Sequence, residues 1–276
     1  MRTKVLLLLI LMTSILFSCQ KEVDFANTSG GNGGANDVFL QKLVSKSGAD
    51  SSTLEFGYNS SKKLITLNTI DVTSGTTSLT QERVERNSQG IIQKLIIKDD
   101  QYQQLGLDSV VTVMEYSSGR YISKVTTIDL GIVVFRDSVV LIYDAEGKVA
   151  TERIYDDLAT GNYEENAKID YTYSGNNIST IKQYSYDGST YSLVVTYSYD
   201  EYDNKVSPLN IGFDAFVFDS PAMYSSNNPT KSSIADSGSS ETFTTTYTYN
   251  SANKPLTGSS TIQPGNSTAT ATYYYQ

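Results

Sequence analysis

The acidic side chains that could do chemistry in this 276-residue chain lie close together at Asp200, Glu201 and Asp203. Three carboxylates would be enough for a glycosidase, because that class of enzyme needs only two. The following residue, Asn204, makes this stretch more typical of a turn, because Asp and Asn side chains bond the backbone two residues ahead. The chain has no His, which excludes a Ser-His-Asp triad, a Cys-His pair and a His-based metal site. We therefore expect a protein that is not an enzyme, with no catalytic residue, no metal and no cofactor.

Cys19 is the one cysteine of the chain and follows a stretch with the features of a secretory signal. A short basic start precedes the apolar run 5–17, which is too short to span a bilayer as a helix. The sequence Leu-Phe-Ser-Cys at 16–19 resembles the lipobox of bacterial lipoproteins. That resemblance implies that residues 1–18 are removed and that Cys19 becomes a lipidated N-terminus, held in membrane lipid by its acyl chains. The alternative is a leftover cysteine in an ordinary signal peptide.

A polar segment rich in Gly and Asn, residues 19–37, follows the signal and is typical of a flexible tether. Its first residues, Gln20 to Asp24, resemble the short export signal of lipoproteins that reach the outer face of the outer membrane. An ordinary solvated run of charges is the alternative interpretation. The resemblance implies a lipid-anchored protein of the outer membrane, exposed at the cell surface.

The mature chain is acidic. The full sequence holds 21 Lys and Arg against 30 Asp and Glu, and Arg2 and Lys4 leave with the signal. The mature chain therefore has 19 basic and 30 acidic residues, a net charge of −11. Such a surface repels phosphate backbones, so we expect no nucleic-acid partner.

A unit of about 28 residues recurs along the chain, each unit marked by a strand that ends in a Tyr-x-Tyr-like motif. A residue suited to a left-handed backbone follows each end residue, with Lys62 as the exception, and a second glycine lies midway along each unit. Two turns in each unit, about ten residues apart, predict two antiparallel strands per unit. The end residues of the units are Tyr58, Arg86, Tyr116, Tyr143, Tyr173, Tyr199, Tyr249 and Tyr275.

These repeats predict an all-β fold, an antiparallel meander of about sixteen strands that occupies residues 38–276 as one domain and begins with a strand at 38–45. Strands should end near Tyr143, Tyr173, Tyr199 and Tyr249, with hairpin turns at Gly147 and Gly188. Asp187-Gly188 has the composition of a two-residue hairpin loop. Because twist accumulates across a sheet of this size, we expect it to roll into a barrel-like or spiral shell.

The tyrosines of the end motifs share one face of their strands, because side chains two apart point to the same side. One interpretation is the packed inner face of a rolled sheet. The other is a platform on which sugar rings stack. Under the second interpretation the candidate ligand-binding residues are Tyr171, Tyr173, Tyr197, Tyr199, Tyr247, Tyr249, Phe216, Phe218 and Tyr224.

An insertion at about 205–240 interrupts the regular repeat. It contains three prolines and three phenylalanines, so it cannot be a regular strand throughout. The strands that begin at Asp108 and Asp137 carry Val or Ile on the face where other units have Thr or Ser. We therefore expect the insertion to fold over that face as a lid that buries Phe213, Phe216 and Phe218, although a binding loop is the alternative.

Two stretches carry a resemblance to known families. Residues 141–149, Leu-Ile-Tyr-Asp-Ala-Glu-Gly-Lys-Val, resemble the tyrosine-aspartate (YD, or RHS-type) repeats, whose hairpins wind into β-sheet shells. Residues 225–230, Ser-Ser-Asn-Asn-Pro-Thr, resemble a stretch of tyrosine-rich outer-membrane lipoproteins built of the same meander. The resemblance implies a fold and no activity.

Three roles remain open for such a chain. The first is a surface-anchored binding or adhesion lipoprotein without enzymatic activity, with a glycan as a possible ligand. The second is a structural or assembly component of an outer-membrane complex, with another outer-membrane protein as its partner. The third, a transmembrane pore, is disfavoured, because Tyr recurs beside Thr along whole strands where a lipid-facing strand should show bands of Leu and Val.

Overall fold

The computed structural model describes residues 39–130, 134–158 and 162–276. The predicted signal, lipidated cysteine and tether lie outside these residues. Within them, sixteen antiparallel strands follow one another, each paired with its neighbours in sequence, and the last strand pairs with the first. The predicted all-β meander is confirmed, and its sheet closes into a barrel.

The strands are β1 Leu40–Ser47, β2 Asp50–Tyr58, β3 Leu64–Thr73, β4 Thr76–Arg86, β5 Ile92–Asp99, β6 Val110–Ser117, β7 Arg120–Asp129, β8 Val134–Tyr143, β9 Val149–Leu158, β10 Glu164–Ser174, β11 Asn177–Tyr186, β12 Tyr191–Val206, β13 Asn227–Asp236, β14 Ser240–Tyr249, β15 Pro255–Gln263 and β16 Ser267–Tyr275. Two short α-helices, Asp100–Gln104 and Asp214–Val217, and a 3-10 helix, Pro221–Tyr224, lie between strands. None of the helices in the described ranges is both long and apolar enough to cross a membrane.

Most predicted strand ends lie where the end motifs placed them. β8 ends at Tyr143, β14 ends at Tyr249, and β10 extends one residue beyond Tyr173. The prediction for Tyr199 was wrong, because β12 continues past it to Val206. The first strand is β1, Leu40–Ser47, two residues later than predicted.

The turns after the end residues are built by a side chain that bonds the backbone ahead. Asp144 Oδ1 accepts hydrogen bonds from the amides of Glu146 and Lys148, both at 2.9 Å, while Gly147 takes a φ of +82°. Lys62, which departs from the residue pattern, still takes a φ of +62°. The backbone conformation is thus kept where the residue type is not.

A bulge opposite the end residue is a second recurring feature. The pairing register shifts between Thr172 and Tyr173, so that Tyr173 pairs with Ile178 while Thr172 pairs with Thr180. As a result Ile178 and Ile181, three residues apart, are both buried. The bulge reverses the alternation of faces along β11.

The inner face of the barrel holds the core, and its outer face is polar over much of the wall. Leu43 and Leu54 pair across β1 and β2 and are both buried inside. On β14 the outward positions Thr244, Thr246 and Thr248 are exposed. The outward face of β14 thus carries threonine, while the inward face of β1 and β2 carries leucine.

The segment between β12 and β13, residues 207–226, fills one end of the barrel and is called the plug below. Phe216 and Phe218 are buried within it, as predicted, whereas Phe213 is 36 % exposed, which the sequence did not predict. The expected lid over the valine face is wrong. The plug packs against the inner face, while Val113 and Ile142 point outward and are exposed.

The two ends of the barrel differ. The plug end also holds both ends of the sheet, because the amide of Phe39 donates to the carbonyl of Gln276 at 3.2 Å. The opposite end, called the distal end below, carries the turns at Gly75 and Gly188. The chain therefore enters the barrel at the plug end.

Candidate functional site

The tyrosines predicted to bind a ligand lie inside the barrel. Tyr173, Tyr247 and Tyr249 are half-buried. The other predicted residues are buried: Tyr171, Tyr197, Tyr199, Phe216, Phe218 and Tyr224. Two of these rings pack edge-on to the plug, Tyr171 on Phe216 at 5.3 Å and Tyr173 on Tyr224 at 5.7 Å between centroids. These positions agree with a packed inner face, and ligand binding by these residues stays a prediction.

The hydroxyl groups of the end tyrosines explain why the motif recurs. Tyr173 Oη donates to the carbonyl of Val149 at 2.6 Å, and Tyr275 Oη donates to that of Pro255 at 2.7 Å. The end residues Tyr58 and Tyr143 make equivalent bonds to a carbonyl about twenty residues earlier. In two further units the bond is made by a neighbouring tyrosine, Tyr202 or Tyr247, in place of the end residue. Each ring thus fills the core while its hydroxyl satisfies a buried carbonyl at the start of a strand.

Within the acidic stretch at 200–203, Asp203 has a structural role. Asp203 Oδ1 accepts from the amide of Asn228 at 3.0 Å, and its Oδ2 accepts from Asn228 Nδ2 at 2.9 Å. The hydroxyl of Tyr249 also donates to Asp203. These bonds hold the end of β12 to β13, so both carboxylate oxygens of Asp203 are engaged in structural hydrogen bonds.

A different set of tyrosines lies on the outer wall near the distal end. We call Tyr184, Tyr186 and Tyr191, with Lys168 and Glu165, the outer tyrosine cluster. The position of Tyr184 follows from its pairing: it lies opposite Lys168 on β10 and Leu193 on β12. Leu193 is 53 % exposed, which identifies this face as the outside of the barrel.

The rings of the cluster contact one another, and two of them, Tyr184 and Tyr191, also contact Lys168. The centroids of Tyr186 and Tyr191 are 4.7 Å apart with 37° between planes, and Tyr184 stands nearly edge-on to Tyr191 at 6.4 Å. Lys168 Nζ lies 4.5 Å from the centroid of Tyr184 and 4.9 Å from that of Tyr191. These contacts hold aromatic faces at the surface in fixed positions.

Glu165 connects the rings to Arg153 on the neighbouring strand. The hydroxyl of Tyr191 donates to Glu165, and this hydrogen bond raises the pKa of Tyr191 to about 12. Tyr191 therefore remains protonated at neutral pH. Arg153 Nε lies 3.6 Å from the same carboxylate, and the Arg153 side chain is 45 % exposed. The site thus combines stacking surfaces with charged donors and acceptors.

The hairpin that carries Tyr186 and Tyr191 is fixed by Asp187. Its Oδ1 accepts from the amides of Ser189 at 2.9 Å and Thr190 at 2.8 Å. The bonds from Thr190 and Ser189 hold the pKa of the Asp187 carboxyl well below its usual range. The loop comprises Asp187–Thr190, four residues rather than the predicted two, with Gly188 at a φ of +91°.

The sequence could have indicated this cluster, but its tyrosines were not distinguished from those of the end motifs. Tyr184 and Tyr186 precede the hairpin that Asp187-Gly188 indicated, and Tyr191 follows it. Counting by twos from the buried Ile178 would place Tyr184 inside the barrel. The bulge between Ile178 and Ile181 places it outside.

An outer aliphatic patch lies on the same wall, on β5 to β8. Ile96 pairs with Val111, and Val113 pairs with Val125. Val113 is 50 % exposed. Two further members of this patch are Val140 and Ile142.

The comparisons with known proteins concern the fold. No family model and no curated protein matches the chain. Similar solved structures include a porin-like protein from Bacteroides uniformis, with a TM-score of 0.53 and 16 % identity over 86 % of this chain and 98 % of that one. Another is a porin-like protein from Bacteroides vulgatus, with a TM-score of 0.52 and 14 % identity over 87 % of this chain and 99 % of that one. At this identity the likeness shows a shared barrel fold.

Proposed function

We propose that this chain is a lipid-anchored, non-enzymatic binding or adhesion protein of the outer membrane, exposed at the cell surface, whose outer tyrosine cluster binds a glycan. The observation that carries the proposal is the partly exposed ring pair of Tyr186 and Tyr191 on the outer wall, beside Lys168 and Glu165. Aromatic faces take the apolar face of a sugar ring, and charged groups at their edge take its hydroxyls.

The position of the cluster agrees with this role. A lipid anchor on Cys19 would hold the barrel by its plug end, because the chain enters the sheet at Phe39. The outer tyrosine cluster lies beside the Asp187 hairpin at the distal end. The binding face would therefore be turned away from the membrane.

A pore is not the proposed role, although the similar structures are described as porin-like. The plug fills one end of the barrel with buried side chains such as Phe216 and Leu209. The outward threonines of β14 also differ from the apolar band that a lipid-facing wall needs.

The proposal is tested on a glycan array with the full chain purified in detergent. The double variant Tyr186→Ala and Tyr191→Ala should lose about tenfold or more in affinity for the glycans that the wild type binds, since a truncated aromatic anchor costs more than 1 kcal/mol. Tyr274→Ala is the matched control, because Tyr274 is 48 % exposed on β16, away from the cluster. Equal binding by all three proteins, or no glycan bound by the wild type, contradicts the proposal.

A second role, as an assembly component of an outer-membrane complex, is favoured by one observation, the outer aliphatic patch. Its exposed Val113 and Ile142 would gain from burial against a partner protein. A photo-crosslinking residue at position 113 should then yield a discrete adduct with an outer-membrane protein in cells. The same residue at position 246, on the threonine face, should yield none.

A further inference from the structure

A row of cations adjoins the outer tyrosine cluster. Arg153 on β9 pairs with Lys168 on β10, and Lys168 pairs in turn with Tyr184 on β11. Lys182 lies on the same outward face, two residues before Tyr184. Three positive charges therefore border the rings on adjacent strands.

The carboxylates of this face are already engaged. Glu165 accepts from Tyr191 and lies near Arg153. Asp170 pairs with Lys168 and accepts from Thr151 Oγ1 at 2.9 Å. Together with Asp187 in the hairpin beside Tyr186, three carboxylates match the three cations in number, so the face carries no excess of positive charge.

Arg153 is the cation best placed to meet a ligand. Its Nε approaches Glu165 at 3.6 Å, which is longer than a good hydrogen bond, and its side chain also makes a hydrogen bond with Tyr155. Its guanidinium fork is the shape that binds a carboxylate through two parallel hydrogen bonds. Since neighbouring strands lie about 4.8 Å apart, the strand of Arg153 is roughly 10 Å from that of Tyr184.

We propose that the glycan bound at the outer tyrosine cluster is acidic, a polymer whose sugars carry carboxylates. This inference rests on the proposed function of the cluster. One sugar ring lies on the faces of Tyr186 and Tyr191, and the carboxylate of a neighbouring sugar is held by Arg153. Lys168 and Lys182, on the same outward face, lie where they can contact further carboxylates of the polymer.

The test compares two probes with the same sugar backbone, polygalacturonate and its fully methyl-esterified form, by calorimetry on the full chain in detergent. Wild type should bind the acid at least about tenfold more tightly than the ester, and the preference should shrink at high salt. Arg153→Gln should lose about tenfold in affinity for the acid and change little for the ester. Arg83→Gln is the control, because Arg83 is also exposed and paired with a glutamate, Glu85, at 3.2 Å.

The outcomes separate the two proposals. If wild type binds the ester as tightly as the acid, and loss of Tyr186 and Tyr191 abolishes both, the cluster binds glycan and the acidic preference is wrong. If Arg153→Gln and Arg83→Gln weaken binding of the acid equally, the attraction is general and the role of Arg153 is wrong. If neither probe binds, the acidic-glycan inference is overturned, and the array decides on the proposed function.

Discussion

Arg86 at the end of β4 reaches Asp214 in the plug, 128 residues further along the chain, with its Nη2 2.6 Å from Oδ2 of the carboxylate. The same guanidinium donates to the carbonyls of Leu64, at 2.7 Å from Nη2, and of Gly90, at 2.9 Å from Nη1. The Arg86 side chain is only 6 % exposed. The barrel wall and the plug are thus joined by the ion pair of Arg86 with Asp214. Arg86 needs this partner because an unpaired buried charge is strongly destabilising.

Removing the partner of Arg86 should destabilise the barrel strongly. Asp214→Ala leaves the buried guanidinium without its carboxylate, and breaking such a pair costs about 3 to 5 kcal/mol of unfolding free energy. Urea denaturation measures the change. Glu85→Ala is the control, since it breaks the exposed pair with Arg83, and exposed pairs contribute less than about 1 kcal/mol. Equal losses in the two variants would show that Asp214 does not hold the plug.

The two phenylalanines of the plug give a matched comparison. Phe216 is 1 % exposed and packs edge-on against Tyr171, whereas Phe213 is 36 % exposed. Phe216→Ala should cost about 3 to 5 kcal/mol, which lowers Tm by on the order of 10 °C for a domain of this size. Phe213→Ala should lower it by much less. Thermal unfolding followed by circular dichroism checks both, and an unchanged Tm for Phe216→Ala would mean that the plug is not part of the core.

The strand number could be predicted because its signals are local. Asp144 and Gly147 mark a turn by their own chemistry, and alternation marks the strands between turns. Which side of the sheet became the inside could not be predicted, because a bulge reverses the alternation within a strand, as between Ile178 and Ile181. The tyrosines were therefore recognised as sharing a face while their burial stayed open.

The position of the plug inside the barrel depends on contacts between residues that are far apart in sequence. Arg86 lies 128 residues before Asp214, and Lys124 lies 92 residues before Phe216. Neither residue carries a local signal that it will bind Asp214 or the carbonyl of Phe216. The valines of β6 and β8 suggested a cover on their own face. In the closed barrel that face lies on the outside, and the plug lies in the interior.

Cys19 gives a prediction about the cellular address. If Cys19 is lipidated, the mature chain should fractionate with the outer membrane and incorporate labelled palmitate. Cys19→Ala should leave the chain unprocessed or release it to the soluble fraction, because its only acyl anchor is lost. Ser18→Ala keeps a small residue before the cysteine and should behave like wild type. A Cys19→Ala variant that still fractionates with outer membrane would overturn the lipoprotein interpretation.

A buried glutamate inside the barrel predicts how stability depends on pH. Glu152 is 3 % exposed, and burial raises its pKa to about 7, although the nearby Lys124, with Nζ 4.0 Å from Oε2, partly opposes the shift. The unfolded chain has a pKa near 4.5 for this group. Between these pH values the folded state binds the proton more tightly than the unfolded state does. The stabilisation that the protonated Glu152 gives to the folded state is therefore complete below about pH 4.5 and is lost as pH rises through 7.

The contribution of Glu152 is therefore read from the difference between wild type and Glu152→Gln. In the wild type, the buried charge of Glu152 lowers the stability of the folded state increasingly as pH rises from 5 to 8. Gln carries no charge at either pH. The Tm of the variant relative to wild type should rise by several degrees over this interval, since each unit of pKa difference is worth about 1.4 kcal/mol. Glu115→Gln, at an exposed outward position of β6, should show a constant difference. A difference that is constant for Glu152→Gln as well would mean that Lys124 keeps the glutamate charged throughout, with its pKa below 5.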